Sequence, residues 1–165
     1  MIIIALLWIV LAVLFFVFTF VVLFGAPYVP TLAAQRKNAL DLLDLKPGQT
    51  MYELGSGDGT LLIEAAKRGI KVVGYELNPI LVMVSRYRTR KVSKQVSIVW
   101  GNFWKADLSQ ADAVFVFLLD NYMKKLDAKI KREHKGSSLK LASHAFTIAD
   151  KQPAKKLGAV YLYIY

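Results

Sequence analysis

Apolar residues run without a break from Met1 to Phe24 and are then divided among short segments for the rest of the chain. The first run has no charged side chain, and Thr19 is its one clearly polar residue. At ~1.5 Å per residue, a helix of that length spans roughly 36 Å, against a hydrocarbon core of ~30 Å. The pattern predicts a membrane-spanning anchor over residues 1–24. A cleaved signal peptide calls for a basic start and small residues at the cut site, and neither stands out. Lys and Arg are found only on the C-terminal side, beginning with Arg36 and Lys37. The positive-inside bias then predicts a single-pass protein with its N-terminus outside. The remainder would be cytoplasmic, or on the equivalent inner side of an organelle membrane, with lipid contacted through the N-terminal helix.

Residues 25–49 read as a juxtamembrane connector and lead helix. The prolines in Gly25-Ala26-Pro27-Tyr28-Val29-Pro30 stiffen the connector. Thr31 can N-cap a helix to about Leu43, with Leu32, Leu40 and Leu43 toward one side. After the Lys46-Pro47-Gly48-Gln49 turn, periods of two and 3.6 alternate. Strands are expected at Thr50–Leu54, Lys71–Tyr75, Val96–Trp100, Ala113–Leu118 and Ser138–Ser143. Helices are expected at Thr60 to about Lys67, Ile80–Arg90 and Tyr122–Glu133, the last turning Lys124, Lys125, Lys129 and Lys131 outward, with Gly136 as its stop. In the closing strand, Val160, Leu162 and Ile164 alternate with Tyr161, Tyr163 and Tyr165. Repeated strand–helix order in residues 50–165 predicts one α/β domain. Its sheet is parallel and covered by helices, with ligands at the carboxyl ends of the strands.

Charge changes this picture little. The formal net charge of +10 lies wholly outside the apolar segment, where it serves solubility and attraction to anionic headgroups. A basic groove interleaved with aromatics is lacking, so nucleic acid is not an expected partner. No metal site is expected. The absence of Cys agrees with a reducing compartment.

The chemistry is concentrated in two places. Glu53-Leu54-Gly55-Ser56-Gly57-Asp58-Gly59 breaks a strand into a Gly-rich turn, and Gly74-Tyr75-Glu76-Leu77-Asn78-Pro79 ends the next strand on a carboxylate. A dinucleotide fingerprint wants its third Gly at position 60, which is Thr, and no Gly-Lys-Ser/Thr follows for a P-loop. Glycines still let the backbone approach a ligand closely, and the first N–H groups of the next helix favour an anion. Glu76 stands where an acidic side chain accepts the hydroxyls of an unphosphorylated ribose.

These motifs resemble the class I, seven-β-strand S-adenosylmethionine methyltransferases. With Pro27-Tyr28-Val29-Pro30-Thr31, Ser85-Arg86-Tyr87-Arg88 and Phe103-Trp104-Lys105, the chain is similar to a narrower group. That group comprises the membrane-anchored protein lysine methyltransferases of the ATP synthase c subunit and the adenine nucleotide translocase, with their prokaryotic relatives. The resemblance implies a Rossmann-like, mostly parallel sheet whose last strand is antiparallel, and S-adenosylmethionine as cofactor. Glu53, Gly55, Ser56, Gly57 and Gly59 would surround its methionine end. Glu76 would hold the ribose, Leu77 and Asn78 would lie beside the adenosine, and Asn102 and Phe103 would meet the adenine. Core packing is an equal reading for Phe103 and Trp104.

The expected activity is methyl transfer to a lysine of a membrane-associated protein. The alternatives are a lipid, quinone or other small membrane-soluble acceptor, or a non-catalytic membrane adaptor retaining the fold. Asp120 and Tyr28 are the candidate acceptor-side residues, and an N-cap role for Asp120 is an equal reading. His144 reads as a loop-edge histidine that could face substrate, and His134 as a solvated last-turn residue. The short stretch after strand 5 suggests a terminal hairpin reduced to one strand.

Overall fold

The computed structural model describes residues 1–24, 28–134 and 138–165, with the backbone alone at 17 and 20–24. The expected connector residues Gly25 to Pro27 and the expected helix stop at Gly136 lie outside the described residues. The elements are α1 (Ile2–Phe24), α2 (Ala33–Leu43), β1 (Thr50–Leu54), α3 (Thr60–Lys67), β2 (Lys71–Glu76), α4 (Pro79–Thr89) and β3 (Val96–Trp100). They continue with β4 (Ala113–Val116), α5 (Asp120–Glu133), β5 (Lys140–His144), β6 (Lys155–Leu157) and β7 (Val160–Ile164). Short 3₁₀ turns cover Arg90–Val92 and Phe103–Lys105.

One seven-stranded sheet has the order β3-β2-β1-β4-β5-β7-β6. The first five strands are parallel, and β7 runs antiparallel to both neighbours. β1 and β4 lie side by side at the centre, and every residue of β4 is buried. On one face, Ala39, Leu40 and Leu43 of α2 and Leu61, Leu62 and Ala65 of α3 pack on Met51, Phe115, Val160 and Leu162. Burying Leu40 and Leu43 contributes about 2 kcal/mol each to holding α2 on the sheet. The Lys140 ammonium donates to the Leu43 and Asp44 carbonyls at the C-terminus of α2, a favourable place for a cation. On the opposite face, Met123, Leu126 and Ile130 of α5 cover Val114, Val116, Leu139 and Leu141.

The membrane-spanning anchor is corrected. Among the described residues no helix is long and apolar enough to cross a membrane. The single-pass topology, outside N-terminus, cytoplasmic placement and lipid partner all rested on that span and fall with it. So do the membrane restriction on the substrate and both membrane-based alternatives. The sheet itself is the expected Rossmann-like one.

Other local readings also change. The terminal hairpin keeps both strands, β6 being three exposed residues turned at Gly158. Leu32, not Thr31, is the N-cap of α2, and it is exposed; the Thr31 carbonyl accepts from Arg36 instead. Lys129 turns inward and is buried, donating to the Ala106 carbonyl and to both oxygens of Glu133. His134 is buried as well, with Nε2 at the Leu108 carbonyl. In β7 both faces are covered: Tyr163 is buried and accepts from the Ile148 N–H, while Ile164 is exposed.

Candidate active site

The carboxyl ends of β1 and β2 carry the glycine turn and Glu76. After Leu54 the chain turns at Gly55, whose φ of +93° suits glycine and whose missing side chain would point into open space. The Gly55 and Ser56 N–H groups both donate to the Tyr75 carbonyl, at 2.9 and 2.8 Å, which ties the turn to β2. At Gly57, also at positive φ, a methyl group would stand 2.8 Å from the Tyr28 ring. One on Gly59 would run into Ser85 and Thr89 of α4. Glycine is thus required at Gly55 by the backbone conformation, and at Gly57 and Gly59 also by what packs against them.

Glu76 ties the glycine turn to the end of β2. Its Oε2 accepts from the Gly57 N–H at 2.9 Å and its Oε1 from the Asn78 N–H at 2.8 Å. Each oxygen spends one lone pair on the protein and keeps a second, so the carboxylate is fixed in orientation and still able to accept two hydroxyls. Glu53 lies in register with Gly74, buried, and its Oε2 has no hydrogen-bonding partner. Burial first, and then the nearby Asp58 and Glu76 carboxylates, push the Glu53 carboxyl well above its ordinary range, against a smaller opposing effect of Arg36. A desolvated acid among other acids is a place for a cation.

Asp58 organises the rim. Its Oδ1 accepts from the Thr60 N–H and hydroxyl at 3.0 and 2.7 Å, and its Oδ2 pairs with Arg88 of α4. Burial works to raise the Asp58 pKa, but the Thr60 hydrogen bonds and the Arg88 charge together hold it below the ordinary value. Tyr28 lies over Gly57 beside Asp58; burial, then that carboxylate, raises its phenol pKa. Arg36 pairs with Glu64 at 2.8 Å and adds its positive field to Glu53 and Tyr28.

Of the residues expected at the site, Gly55, Ser56, Gly57, Glu76 and Asn78 form one hydrogen-bonded unit, with Glu53 and Tyr28 against it. The Asn78 amide oxygen caps α4, accepting from Ile80 and Leu81, and the Leu77 carbonyl accepts from the Trp100 indole. Asn102 likewise caps the turn that carries Phe103, whose ring packs on Trp104 with centroids 4.8 Å apart. Asp120 is exposed at the first turn of α5, where Leu119 is the N-cap, so it does not cap the helix itself. Asp58, Arg88 and Arg36 are site residues that the motifs alone do not single out. Asp58 two residues before Thr60 is a readable turn signal, Arg88 falls in the Ser85-Arg86-Tyr87-Arg88 run with no role attached to it, and Arg36 arrives from α2 with no signal. A separate cleft between α5 and residues 148–151 is lined by Lys124, Asp127, Lys131 and Lys151. Its Asp127 is already engaged by Tyr165 and both Lys131 and Lys151, and it lies away from the glycine turn. Among the described residues no His, Asp and Glu cluster could hold a metal ion.

Residues 53–155 match the family model described as the ANTKMT methyltransferase domain. Over 109 residues the chain is 38% identical to the lysine N-methyltransferase of the ATP synthase c subunit from Homo sapiens, a match that spans 65% of this chain and 46% of that protein. It therefore spans about half the length of that relative. A protein-lysine N-methyltransferase of Saccharolobus islandicus is 33% identical over 150 residues, 84% of this chain and 92% of that one. Among solved structures, an RNA methyltransferase from Salinibacter ruber in complex with S-adenosyl-L-homocysteine superposes with a TM-score of 0.73 at 28% identity, over 83% of this chain and 92% of that one. The chain therefore belongs to the ANTKMT methyltransferase domain family, within the class I S-adenosylmethionine-dependent methyltransferases.

Proposed function

We propose that the protein methylates the ε-amine of a lysine in a protein substrate, with S-adenosylmethionine as methyl donor. The observation that carries the lysine acceptor is the 33% identity, over 84% of this chain and 92% of the other, to a protein-lysine N-methyltransferase.

The site fits the donor. A buried acid lacking a hydrogen-bonding partner suits the cationic methionine end, and a carboxylate with one free lone pair per oxygen suits the ribose hydroxyls. Glu53, Gly55, Ser56, Gly57 and Gly59 would hold the methionine portion, Glu76 the ribose, and Leu77, Asn78, Asn102 and Phe103 the adenosine side. When bound, the cofactor supplies a methyl group already activated by the sulfonium charge. What remains for the protein is alignment and removal of the acceptor's proton. A free lysine has a pKa of about 10.4, so its ammonium must lose a proton before its lone pair is available, and an apolar approach lowers that pKa. Tyr28, resting on Gly57, and Asp120, where the chain leaves β4 for α5, are the proposed acceptor-side residues.

Calorimetry with S-adenosylmethionine tests the cofactor site. Incubation with tritiated-methyl cofactor and an extract from cells lacking this gene tests the acceptor. Label in protein, mapped by mass spectrometry to methyllysine, is expected. Label in RNA or lipid alone would overturn the reading.

A further inference from the structure

A second arrangement lies at the same edge of the sheet, two strands from the glycine turn. The β1–β4 and β4–β5 registers place Phe117 beside Gly55 and His144 beside Phe117, one residue beyond the last pairs Leu54–Val116 and Val116–Ser143. Glu76, Gly55, Phe117 and His144 therefore stand in one row across the carboxyl ends of β2, β1, β4 and β5. Alternation puts the Phe117 and His144 side chains on the same face of the sheet as Glu53. The Phe117 and His144 ring centroids are 4.4 Å apart, and the Phe146 ring lies 6.5 Å from Phe117 in a stacked orientation.

The backbone that holds these rings is strained. Ala145 has φ +69°, and the Phe146 N–H donates to the His144 carbonyl at 2.9 Å, which describes a three-residue turn of the positive-φ kind that side chains disfavour. Neighbours over-determine it: the Ala145 N–H donates to the Ala159 carbonyl at 2.8 Å, and the buried Ser143 hydroxyl donates to the Phe146 carbonyl at 2.6 Å. Strain maintained in this way is characteristic of working sites. Its effect here is to hold the imidazole and two phenyl rings together.

The imidazole is also oriented. Nδ1 lies 3.3 Å from the Ala159 carbonyl, which can only accept, so Nδ1 carries the proton and Nε2 of the neutral ring presents a lone pair. Among the described residues Nε2 has no protein partner. Burial, partly opposed by the Ala159 carbonyl, lowers the His144 pKa and keeps the ring neutral. No charged side chain contributes to that shift. On the surrounding elements, Lys140 of β5 is turned to the end of α2 and Arg36 of α2 is paired with Glu64. Tyr161 of β7 sits in register with Ser143, and Asp120 is exposed at the start of α5.

Resting on the lysine reading above, we propose that Phe117 and Phe146 wall the channel through which the acceptor lysine enters, and that His144 Nε2 accepts a hydrogen bond from its amine. The aromatic walls bury the alkyl stem and disfavour the ammonium, whose proton passes to solvent. The neutral imidazole fixes one remaining N–H, which leaves the nitrogen lone pair directed away from the ring. A protonated imidazole could neither accept that bond nor tolerate an ammonium beside it.

Two variants and a binding measurement test this. His144→Asn removes the Nε2 position, and His144→Gln returns an acceptor that does not titrate. With the tritium assay, His144→Asn is expected to lower kcat by about 100-fold, within the range of positioned proton-handling groups. Calorimetric affinity for S-adenosylmethionine should be unchanged. His144→Gln should recover part of kcat and lose the fall in rate that the wild type shows as pH drops through the imidazole pKa. Separately, the ¹⁵N resonance of His144 Nε2 in protein saturated with S-adenosylhomocysteine should move on addition of n-butylamine. Wild-type kcat and pH profile in both variants, or no movement with butylamine, overturns the assignment. A wild type that binds cofactor but labels no lysine refutes the function proposed above instead, and the butylamine experiment still decides the role of His144.

Discussion

Replacing Glu53 by glutamine should strengthen the cofactor-free protein while weakening its hold on the cofactor. The side chain is 6% exposed, its Oε2 has no hydrogen-bonding partner, and burial with Asp58 and Glu76 nearby raises its pKa. A carboxyl whose folded pKa is raised binds protons more tightly in the folded state. Its penalty is absent below the ordinary value of 4.5, grows as pH rises from there toward the folded pKa, and is complete above it. Glutamine has nearly the same shape and no charge. An unsatisfied buried polar group costs about 1–3 kcal/mol, and the amide relieves the charged part, so a gain of about 1–2 kcal/mol at pH 7 is expected. In a domain of this size that raises Tm by roughly 3–6 °C. The cofactor's cationic end would lose a charge-assisted hydrogen bond of about 1.5–3 kcal/mol, a Kd roughly 10- to 150-fold weaker. Thermal unfolding by circular dichroism from pH 4.5 to 8, with and without S-adenosylmethionine, measures the first effect and calorimetry the second. The variant's stability should depend less on pH over that range. A Glu53→Gln protein less stable than wild type at pH 7, or one with unchanged cofactor affinity, would refute the reasoning.

Three further outcomes follow from hydrogen bonds and contacts in the structure. Glu76→Ala removes the acceptor of the Gly57 and Asn78 N–H groups together with the ribose contacts proposed for it, so calorimetry should show affinity at least 100-fold weaker with the fold retained. Gly57→Ala demands a left-handed alanine and displacement of the Tyr28 ring; it should lower stability by about 1–2 kcal/mol in urea titration and weaken cofactor binding, and wild-type values for both would exclude the close packing. Lys129→Ala leaves the Ala106 carbonyl and Glu133 without their buried cation, and should cost about 3 kcal/mol in the same titration while a Lys124→Ala change on the exposed face costs under 0.5 kcal/mol.

The parts of the site that can be read from sequence are those whose cause is local. Gly55, Gly57 and Gly59 announce a turn because few other residues tolerate it, and Glu76 announces itself by its distance from that turn. β4 is legible because a wholly apolar run has to be buried on both faces. Lys129 is misassigned by periodicity because a helical repeat gives a face and not a partner; its ammonium is buried only because the Ala106 carbonyl and Glu133 stand there to receive it. β6 escapes notice because Lys155, Lys156 and Leu157 are exposed and derive their strand character from β7. The apolar N-terminal run shows the opposite hazard, since hydropathy alone suggests a membrane span that no described helix provides.

The two sides of the candidate site differ in the same way. Apart from Asn102 and Phe103, the proposed cofactor side lies in two contiguous motifs, so those residues can be named without the fold. On the acceptor side, Phe117, His144 and Phe146 come from two strand ends that meet only when β4 and β5 are in register. The turn that aims two of them depends on an alanine at positive φ, a conformation its own sequence disfavours. Ser143 and Ala159 impose that conformation through hydrogen bonds that form only in the assembled sheet. The glycine turn and Glu76 can therefore stay as they are while the geometry at Phe117, His144 and Phe146 changes with one loop. Acceptor preference in this chain should accordingly respond to substitutions at 143–146 and 159 far more than to any change that leaves cofactor affinity intact elsewhere.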